Sequence, residues 1–414
     1  MRISAKNLNL DIKAPLSKSV YHRELIVNFI LGARGDYLNE SPDDNDDIRA
    51  TKACLRALEE KDAETVILNC NESGSTLRFM IPVALAAKSD ANRKLIFKTK
   101  GRLIDRPIEE LSDCLKPFGV VISKDKENNE ITVTGNIEPG RYVIDGSVSS
   151  QYISGLLMAL SCFDKESAVE VTGGIASVHY IELTVAALAK YGINVERDGD
   201  TFKVPGKPSD IALPDGNFEV EGDWSNGAFL LCLGSLIHGG SAKVTGLNME
   251  SVQGDREIMH FLRLAGITFL AEGDTVFVQD SRFNPVRKLL EMDCSDIPDI
   301  VPYMAVLGAF RADKTVLKGI KRLRIKESDR AKAITDMLTA IGANVTLEED
   351  TITIEYISKV ASDIVLTSSG DHRMAMAAVL CAAATGKDIE LDNIDCLDKS
   401  FPEFRKVLLK EMTV

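Results

Sequence analysis

One pattern occurs four times in the 414-residue chain: a helical stretch closing on Leu-x-x-x-Gly, a strand-like tripeptide, a polar turn and a second strand. The closing glycines are Gly119, Gly192, Gly266 and Gly342, spaced 73, 74 and 76 residues apart. A glycine just past the last helical turn predicts a left-handed cap, after which the apolar period changes from helix to strand. The tripeptides Val120-Val121-Ile122, Ile193-Asn194-Val195, Ile267-Thr268-Phe269 and Ala343-Asn344-Val345 read as first strands. Ile131-Thr132-Val133, Phe202-Lys203-Val204, Val276-Phe277-Val278 and Ile352-Thr353-Ile354 read as returning strands, across turns such as Asp198-Gly199-Asp200 and Glu272-Gly273-Asp274. A repeat of this length restricts the chain to copies of one helix-and-sheet unit.

A second family of helices shares the same register. Its polar starts are Ser17-Lys18-Ser19, Ser73-Gly74-Ser75-Thr76, Ser147-Val148-Ser149-Ser150-Gln151, Asp223-Trp224-Ser225-Asn226, Ser295-Asp296-Ile297-Pro298-Asp299 and Ser369-Gly370-Asp371-His372-Arg373. Their first residues are 56, 74, 76, 72 and 74 apart. Each leads into a strongly apolar helix; the last runs uncharged to Gly386 and reads as buried nearly all round. The chain therefore reads as six copies, the first shorter and the last cut off, of α/β class and built from α+β repeats. Six divide into three and three, with a boundary between Pro205 and Gly222, where Pro205-Gly206-Lys207-Pro208 and Pro214-Asp215-Gly216 punctuate the chain. The strand ending at Ile12 is expected to complete the sixth copy, so that the chain crosses between domains twice. The expected domains are 15–221, and 1–14 with 222–414.

Composition narrows the function classes. A formal charge of −13 argues against nucleic acid or an anionic membrane as the main partner. No apolar run reaches the roughly 18 residues of a membrane span, and 1–15 lacks a secretory pattern. Eight cysteines without Cys-x-x-Cys read as buried thiols of a cytoplasmic protein. Five histidines without clustering give no metal signature.

Ser, Asp and Gly at helix starts are capping residues first, and capping accounts for Asp223 and Ser225. It does not account for the basic residues Lys18, Arg78, Arg106, Lys326, Arg330 and Arg373. Cations at the positive end of a helix dipole are misplaced unless an anion sits between them. Arg106, His179, Gln253 and Asp329, each 13 residues before a capping glycine, read as starts of the other helix family, with Pro107 in a first turn. Arg23 falls one turn after Ser19, and Lys326 and Arg330 fall on one expected helical face with Glu327 beside them. Gly74 removes a side chain where a ligand can approach closely.

Read in order, Pro-Leu-Ser-Lys-Ser with Arg23, Gly-Ser-Thr-Leu-Arg, Asp-Arg-Pro-Ile, Gly-Ser-Val-Ser-Ser-Gln-Tyr, Ile-Pro-Asp, Lys-Glu-Ser-Asp-Arg, Gly-Asp-His-Arg-Met-Ala-Met-Ala and Lys399-Ser400-Phe401-Pro402 resemble the 5-enolpyruvylshikimate-3-phosphate synthase family over essentially the full length. The resemblance implies two domains of three helix–sheet units with buried parallel helices, an inverse α/β barrel of the enolpyruvate transferase type, closing on substrates. It implies transfer of the carboxyvinyl group of phosphoenolpyruvate to the 5-hydroxyl of shikimate 3-phosphate, with no cofactor or metal, by a monomer. By motif position, Lys18, Ser19, Arg23, Ser149, Ser150, Gln151, Ser177, Tyr180, Asp299 and Lys326 would hold shikimate 3-phosphate. Lys18, Gly74, Arg106, Gln151, Arg330, Arg373 and Lys399 would hold phosphoenolpyruvate. Domain 15–221 would mainly bind the former, and the other domain the latter. Asp299 would be the base at the hydroxyl, Glu327 and Lys18 the proton-transfer pair, and His372 a positioner of carboxylates.

Three positions depart from the family pattern. Leu16 replaces a glycine, Glu72 puts a carboxylate beside an anion pocket with consequences for phosphoenolpyruvate analogues such as glyphosate, and Arg322 replaces an asparagine. The sister family acting on UDP-N-acetylglucosamine has asparagine and cysteine where this chain has Ser19 and Gly101. A repeat-type binding protein without activity would show gaps among the acid–base residues, and Lys18, Asp299, Glu327 and Arg373 are present.

Overall fold

The structure, a computed structural model, describes residues 1–33, 35–42, 44–60, 63–87, 93–208, 215–281 and 286–413. Pro214, one of the punctuating prolines, lies outside them. The capping glycines take positive φ of 77° at Gly119, 78° at Gly192, 69° at Gly266 and 107° at Gly342. Three of these caps reach one residue further than the sequence reading allowed. The N–H groups of Ile193, Ile267 and Ala343 donate back to Leu188, Leu262 and Leu338 carbonyls at 3.2, 2.9 and 2.9 Å. This is the Schellman arrangement, which folds the residue after the glycine onto its own helix. The expected first strands consequently begin later, as Glu196–Asp198, Phe269–Glu272 and Val345–Leu347.

The chain divides into two compact units, Lys18–Val220 and Met1–Ser17 with Glu221–Val414. The first holds helices α1 (Lys18–Ile30), α2 (Asp46–Glu59), α3 (Gly74–Ala87), α4 (Glu109–Leu115), α5 (Ser150–Leu160) and α6 (Val178–Ala189). Thr65–Asn71 pairs in parallel with Lys94–Thr99 across α3, and Arg141–Asp145 with Ser167–Thr172 across α5. An antiparallel hairpin completes each of these sheets. The shorter first copy consists of α1 and α2, with no sheet of its own among the described residues.

The second unit holds α7 (Trp224–Leu236), α8 (Ile258–Leu264), α9 (Val301–Arg311), α10 (Arg330–Ala340), α11 (His372–Thr385) and α12 (Pro402–Glu411). All 13 residues of α7 and 13 of the 14 in α11 are buried, so these are core helices rather than amphipathic ones. Val286–Asp293 and Ala312–Lys318 pair in parallel across α9, as do Val365–Leu366 and Ile389–Leu391 across α11. The N-terminal segment is shared between two copies. Arg2–Ile3 joins the sixth copy through Ile389–Leu391, while Asn9–Lys13 pairs in parallel with Ser241–Thr245 of the fourth. The expectation that the strand to Ile12 completes the sixth copy therefore holds only for its first residues. Where the chain leaves and re-enters this unit, its two passes bond to each other: Ser17 N to Glu221 O at 2.8 Å and Asp223 N to Pro15 O at 2.8 Å. Each of the five sheets among the described residues is open, and no helix there is long and apolar enough to cross a membrane.

Two residues, Pro82 and Gly155, let α3 and α5 approach closely. Pro82, inside α3, has no N–H to give to the Arg78 carbonyl one turn back. Gly155 of α5 faces that carbonyl, and a Cβ there would stand 2.9 Å from Arg78 O and 3.0 Å from Pro82 Cγ. Alanine normally gains about 1 kcal/mol over glycine inside a helix. At this position the backbone contact decides the sign. Gly155→Ala is expected to lower unfolding stability by about 1–3 kcal/mol, measured by urea titration; an unchanged or raised midpoint would contradict this packing.

Candidate active site

In the unit Lys18–Val220, the start of α1 is tied to that of α2, and the start of α3 to that of α5. Lys18, the first residue of α1, places Nζ 2.8 Å from Asp47 Oδ2 in the first turn of α2. Gln151 in α5 donates to Ser75 Oγ at 2.9 Å and accepts from Arg78 at 2.9 Å, so α3 and α5 are joined through one amide. Behind them runs a buried relay, His22 Nδ1 to Thr51 Oγ1 at 2.8 Å, Thr51 to Thr76 at 2.7 Å, and Thr76 to Ser73 at 2.7 Å. Burial pushes His22 down to about 3, against the raising effect of Asp47, so its imidazole is neutral at physiological pH. Gly74 opens α3, and a Cβ there would lie 2.4 Å from an Arg106 guanidinium nitrogen. Glycine is what lets that arginine lie across the helix start. Ser149 caps α5 by accepting from Gln151 N, and Ser150 is buried beside it. Ser177, buried at φ 53°, turns the chain into α6, on which Tyr180 is half-buried.

One expectation changes in this unit. Arg106 does not open a helix: it follows the 3₁₀ turn Gly101–Asp105 in extended conformation, and α4 begins at Glu109. Arg23 lies on the α1 face of Ser19, and each of its three guanidinium nitrogens donates within the unit. The acceptors are Thr184 Oγ1 at 2.7 Å, Ser19 O at 2.6 Å, and Tyr180 O at 2.6 Å. Arg23 is thereby a brace between α1 and α6. Glu72 is exposed and lies against Gly101, where a Cβ would stand 2.7 Å from Oε1.

In the other unit, a buried guanidinium holds three carboxylates. Arg330 opens α10 and donates to Asp371 Oδ2 at 2.7 Å, Asp299 Oδ1 at 2.6 Å and Glu327 Oε2 at 2.8 Å. Lys326 Nζ reaches Asp299 Oδ1 at 3.3 Å, and Lys399 Nζ lies 3.6 Å from Glu327 Oε1. Lys326 and Arg330 do not share a helical face as expected. Lys326 ends the 3₁₀ turn Lys321–Ile325 in extended conformation, and the two cations converge on Asp299 from different backbone states. Asp299 itself precedes α9, which starts at Val301 rather than at Ser295. Ser295 spends its N–H and hydroxyl on Asp293, and two turns intervene. Arg373, in the first turn of α11, donates to Tyr303 of α9 at 3.1 Å and to Asn226 of α7 at 3.5 Å. Three core helices thus bring their first turns together around it.

The charges shape one another. Burial alone would raise the Asp299 carboxyl, but Lys326, Arg330 and Arg373 outweigh it and hold it well below the carboxylate range. Burial pushes the Lys326 ammonium down to about 8, with Asp299 pulling it up and Arg330 and Arg322 adding to the fall. Burial opposes charge on Arg330 too, but Asp371, Glu327 and Asp299 raise it above its ordinary value. His372, buried next to Asp371, places Nδ1 3.7 Å from Asp371 Oδ1.

Residues 4–408 match the family described as EPSP synthase (3-phosphoshikimate 1-carboxyvinyltransferase). The chain belongs to the EPSP synthase family. It is 31% identical to the 3-phosphoshikimate 1-carboxyvinyltransferase of Clostridium novyi, with 98% of this chain and 96% of that one covered. With the Clostridium kluyveri enzyme of the same name it shares 32% identity over 97% and 95%. Among solved structures, EPSP synthase from Acinetobacter baumannii matches with a TM-score of 0.73 at 20% identity, over 100% and 98% of the two chains. The enolpyruvyl transferase NikO from Streptomyces tendae matches at 0.71 and 14%, over 99% and 97%. These two likenesses show the enolpyruvyl transferase fold. The activity of this EPSP synthase family member is enolpyruvyl transfer from phosphoenolpyruvate to shikimate 3-phosphate, in aromatic amino acid biosynthesis.

No motif or spacing in the sequence singles out Asp47, Asn226 or Tyr303, and a helix-start position marks Asp371 first as a cap. Asp371 does cap α11, accepting from Arg373 N at 2.9 Å, while also holding Arg330 and the Ser328 hydroxyl at 3.0 Å. Capping residues are visible from position, whereas a second role across 41 residues of sequence has no local signal. Removing the charge from one side of this fully buried pair leaves Arg330 short of compensation. Asp371→Asn is expected to cost about 3–5 kcal/mol, read by guanidinium melting; a loss below about 1 kcal/mol would show that the pair is solvated.

Proposed function

We propose that the transfer proceeds by addition and elimination, with Asp299, Glu327 and Lys18 moving the protons. In the addition, the 5-hydroxyl of shikimate 3-phosphate attacks the enol carbon of phosphoenolpyruvate and gives up its proton to Asp299. The methylene carbon gains a proton from the Glu327–Lys18 pair. In the elimination, the Glu327–Lys18 pair takes a proton back from the new methyl group, the C–O bond to phosphate breaks to restore the double bond, and phosphate leaves with the proton held by Asp299. Shikimate 3-phosphate is held by Lys18, Ser19, Arg23, Ser149, Ser150, Gln151, Ser177, Tyr180, Asp299 and Lys326. Phosphoenolpyruvate is held by Lys18, Gly74, Arg106, Gln151, Arg330, Arg373 and Lys399. The unit 18–220 mainly serves the first substrate, and the other unit the second. The cytoplasm is the proposed setting, in keeping with eight free cysteines.

The observation that carries this reading is the pairing of Asp299 and Glu327 with cations suited to phosphate and carboxylate, Lys326, Arg330 and Lys399. A carboxylate held down by three cations is ionised but weakly basic. Anionic substrates on the same cations would offset their pull and raise its basicity when it is needed. Neutral hydroxyl donors such as Ser149 and Ser150 can meet phosphate oxygens without adding charge.

Phosphate release with phosphoenolpyruvate is expected when shikimate 3-phosphate is the acceptor and not when UDP-N-acetylglucosamine replaces it. Release only with the nucleotide sugar, or with neither, would sink the reading. Glu327→Gln is expected to slow turnover at least about a hundredfold while retaining ligand binding by fluorescence titration. Near-normal turnover would remove Glu327 from the proton path.

A further inference from the structure

Three half-buried aromatic residues of the unit Lys18–Val220 line a cavity of about 430 Å³ together with Gly216, Asn217 and Glu219. They are Tyr21 of α1, Tyr37 of the loop between α1 and α2, and Phe218, and the proposed mechanism uses none of them. The volume lies within the roughly 300–1,000 Å³ of small-molecule clefts. The stretches that carry Tyr37 and Phe218 pack directly on one another: a Cβ on Gly35 would stand 3.1 Å from the Asp215 carbonyl oxygen.

Phe218 meets both tyrosines at steep angles. Its ring centroid lies 5.8 Å from that of Tyr21 with 66° between the planes, and 6.4 Å from that of Tyr37 with 75°. A cation held about 4–4.5 Å from each of two perpendicular rings, inside the roughly 6 Å reach of cation–π attraction, sets their centroids about 5.7–6.4 Å apart. Closed edge-to-face pairs reach similar separations, but they leave no space between the rings. Here all three rings border an open cavity, so they form walls rather than a closed cluster.

The charge around the rings selects the sign of an occupant. Glu219 lines the cavity, is exposed, and its carboxylate makes no ion pair or hydrogen bond with the described residues. Asp215, which accepts from the side chain of the lining residue Asn217 at 3.0 Å, adds the same sign. One cation, Lys52 of α2, already uses the Tyr21 ring, with Nζ 5.3 Å from its centroid. That lysine is buried outside the cavity lining and is neutralised by Asp44 at 2.8 Å, so the pair adds no net charge. A small hydrated cation would have to shed water to sit against rings. A quaternary ammonium loses far less, because its charge is spread over methyl groups that also bury apolar surface on the aromatic faces. We propose that Tyr21, Tyr37 and Phe218 form an aromatic cage for the trimethylammonium head group of a small organic cation, with Glu219 as the counter-charge. The site takes none of the residues assigned to the two substrates and does not depend on the transfer reaction.

Ligand-observed proton NMR on the full chain tests this, with choline as the probe. The control is the uncharged tert-butyl isostere of choline, in which carbon replaces the nitrogen. Choline is expected to bind with a Kd of about 1–20 mM, and the isostere at least about tenfold more weakly. The two differ only in charge, so equal binding would mark an apolar crevice and overturn the inference. Phe218→Leu keeps apolar bulk but removes the π face, and is expected to weaken choline binding at least about fivefold. Tyr37→Leu takes its place if that variant does not fold. Glu219→Gln, at an exposed position, is expected to weaken binding about two- to fivefold and to flatten its dependence on salt. No choline binding below about 50 mM overturns the inference. So does binding that Glu219→Gln weakens and the ring substitutions leave unchanged, since that is ion pairing at the surface.

Discussion

The buried guanidinium of Arg330 is the constraint on which the second unit depends. It is almost wholly withdrawn from water, and it touches Asp299, Glu327 and Asp371, which come from the approach to α9, the loop before α10 and the cap of α11. Desolvating an arginine is expensive, and only good geometry with several acceptors offsets it. Three carboxylates supply that geometry and are themselves fixed by it. The same contact that lets the charge be buried therefore also sets the distances between the acid–base groups. A core of apolar helices could fold without it, but the first turns of those helices would have no reason to adopt one particular arrangement.

Cations at helix starts conflict with the helix dipole unless an anion sits between them. The fold resolves part of this conflict internally. Asp47 answers Lys18, Asp299 answers Lys326, and Asp371 answers Arg330. Arg23 is answered by a hydroxyl and carbonyls rather than by charge. These pairs let a strongly basic constellation stay folded before any substrate arrives. They also set the terms of binding: a substrate phosphate competes with protein carboxylates rather than meeting bare cations, so its net gain is smaller and more selective.

The repeat, the capping glycines and the buried helices were legible because they rest on local rules. A glycine with φ of 78° at the end of α6, or the unbroken apolar run of α11, follows from backbone sterics and periodicity alone. Strand starts were misplaced by up to three residues because the Schellman bond from Ile193 back to Leu188 extends the cap beyond its glycine. The start of α9 was misplaced because Ser295 has a competing acceptor in Asp293. Asn9–Lys13 was assigned to the wrong copy because parallel pairing with Ser241–Thr245 spans 232 residues, and no local pattern distinguishes one sheet edge from another. In the site, Asp299, Glu327, Arg330 and Arg373 came from motifs, whereas Asp47, Asn226 and Tyr303 are ordinary residues given meaning only by neighbours distant in sequence.

Asp371 shows why residues at a repeat's polar start serve two purposes at once. Its position is fixed by the helix: the carboxylate must accept from Arg373 N to cap α11. Its remaining lone pairs then face away from the helix, where Arg330 and Ser328 reach them. A capping carboxylate is rigid because the backbone holds it, and rigidity is what a group orienting an arginine requires. Ser149, Asp223 and Asp371 cap α5, α7 and α11 alike, so duplication brings polar groups to the same end of these core helices. Once several are adjacent, changing a neutral cap into a carboxylate, or the next residue into an arginine, alters charge without altering fold. The divergence between Asp223-Trp224-Ser225-Asn226 and Gly370-Asp371-His372-Arg373 is of this kind: both begin a core helix with an aspartate cap, and only one carries the cation.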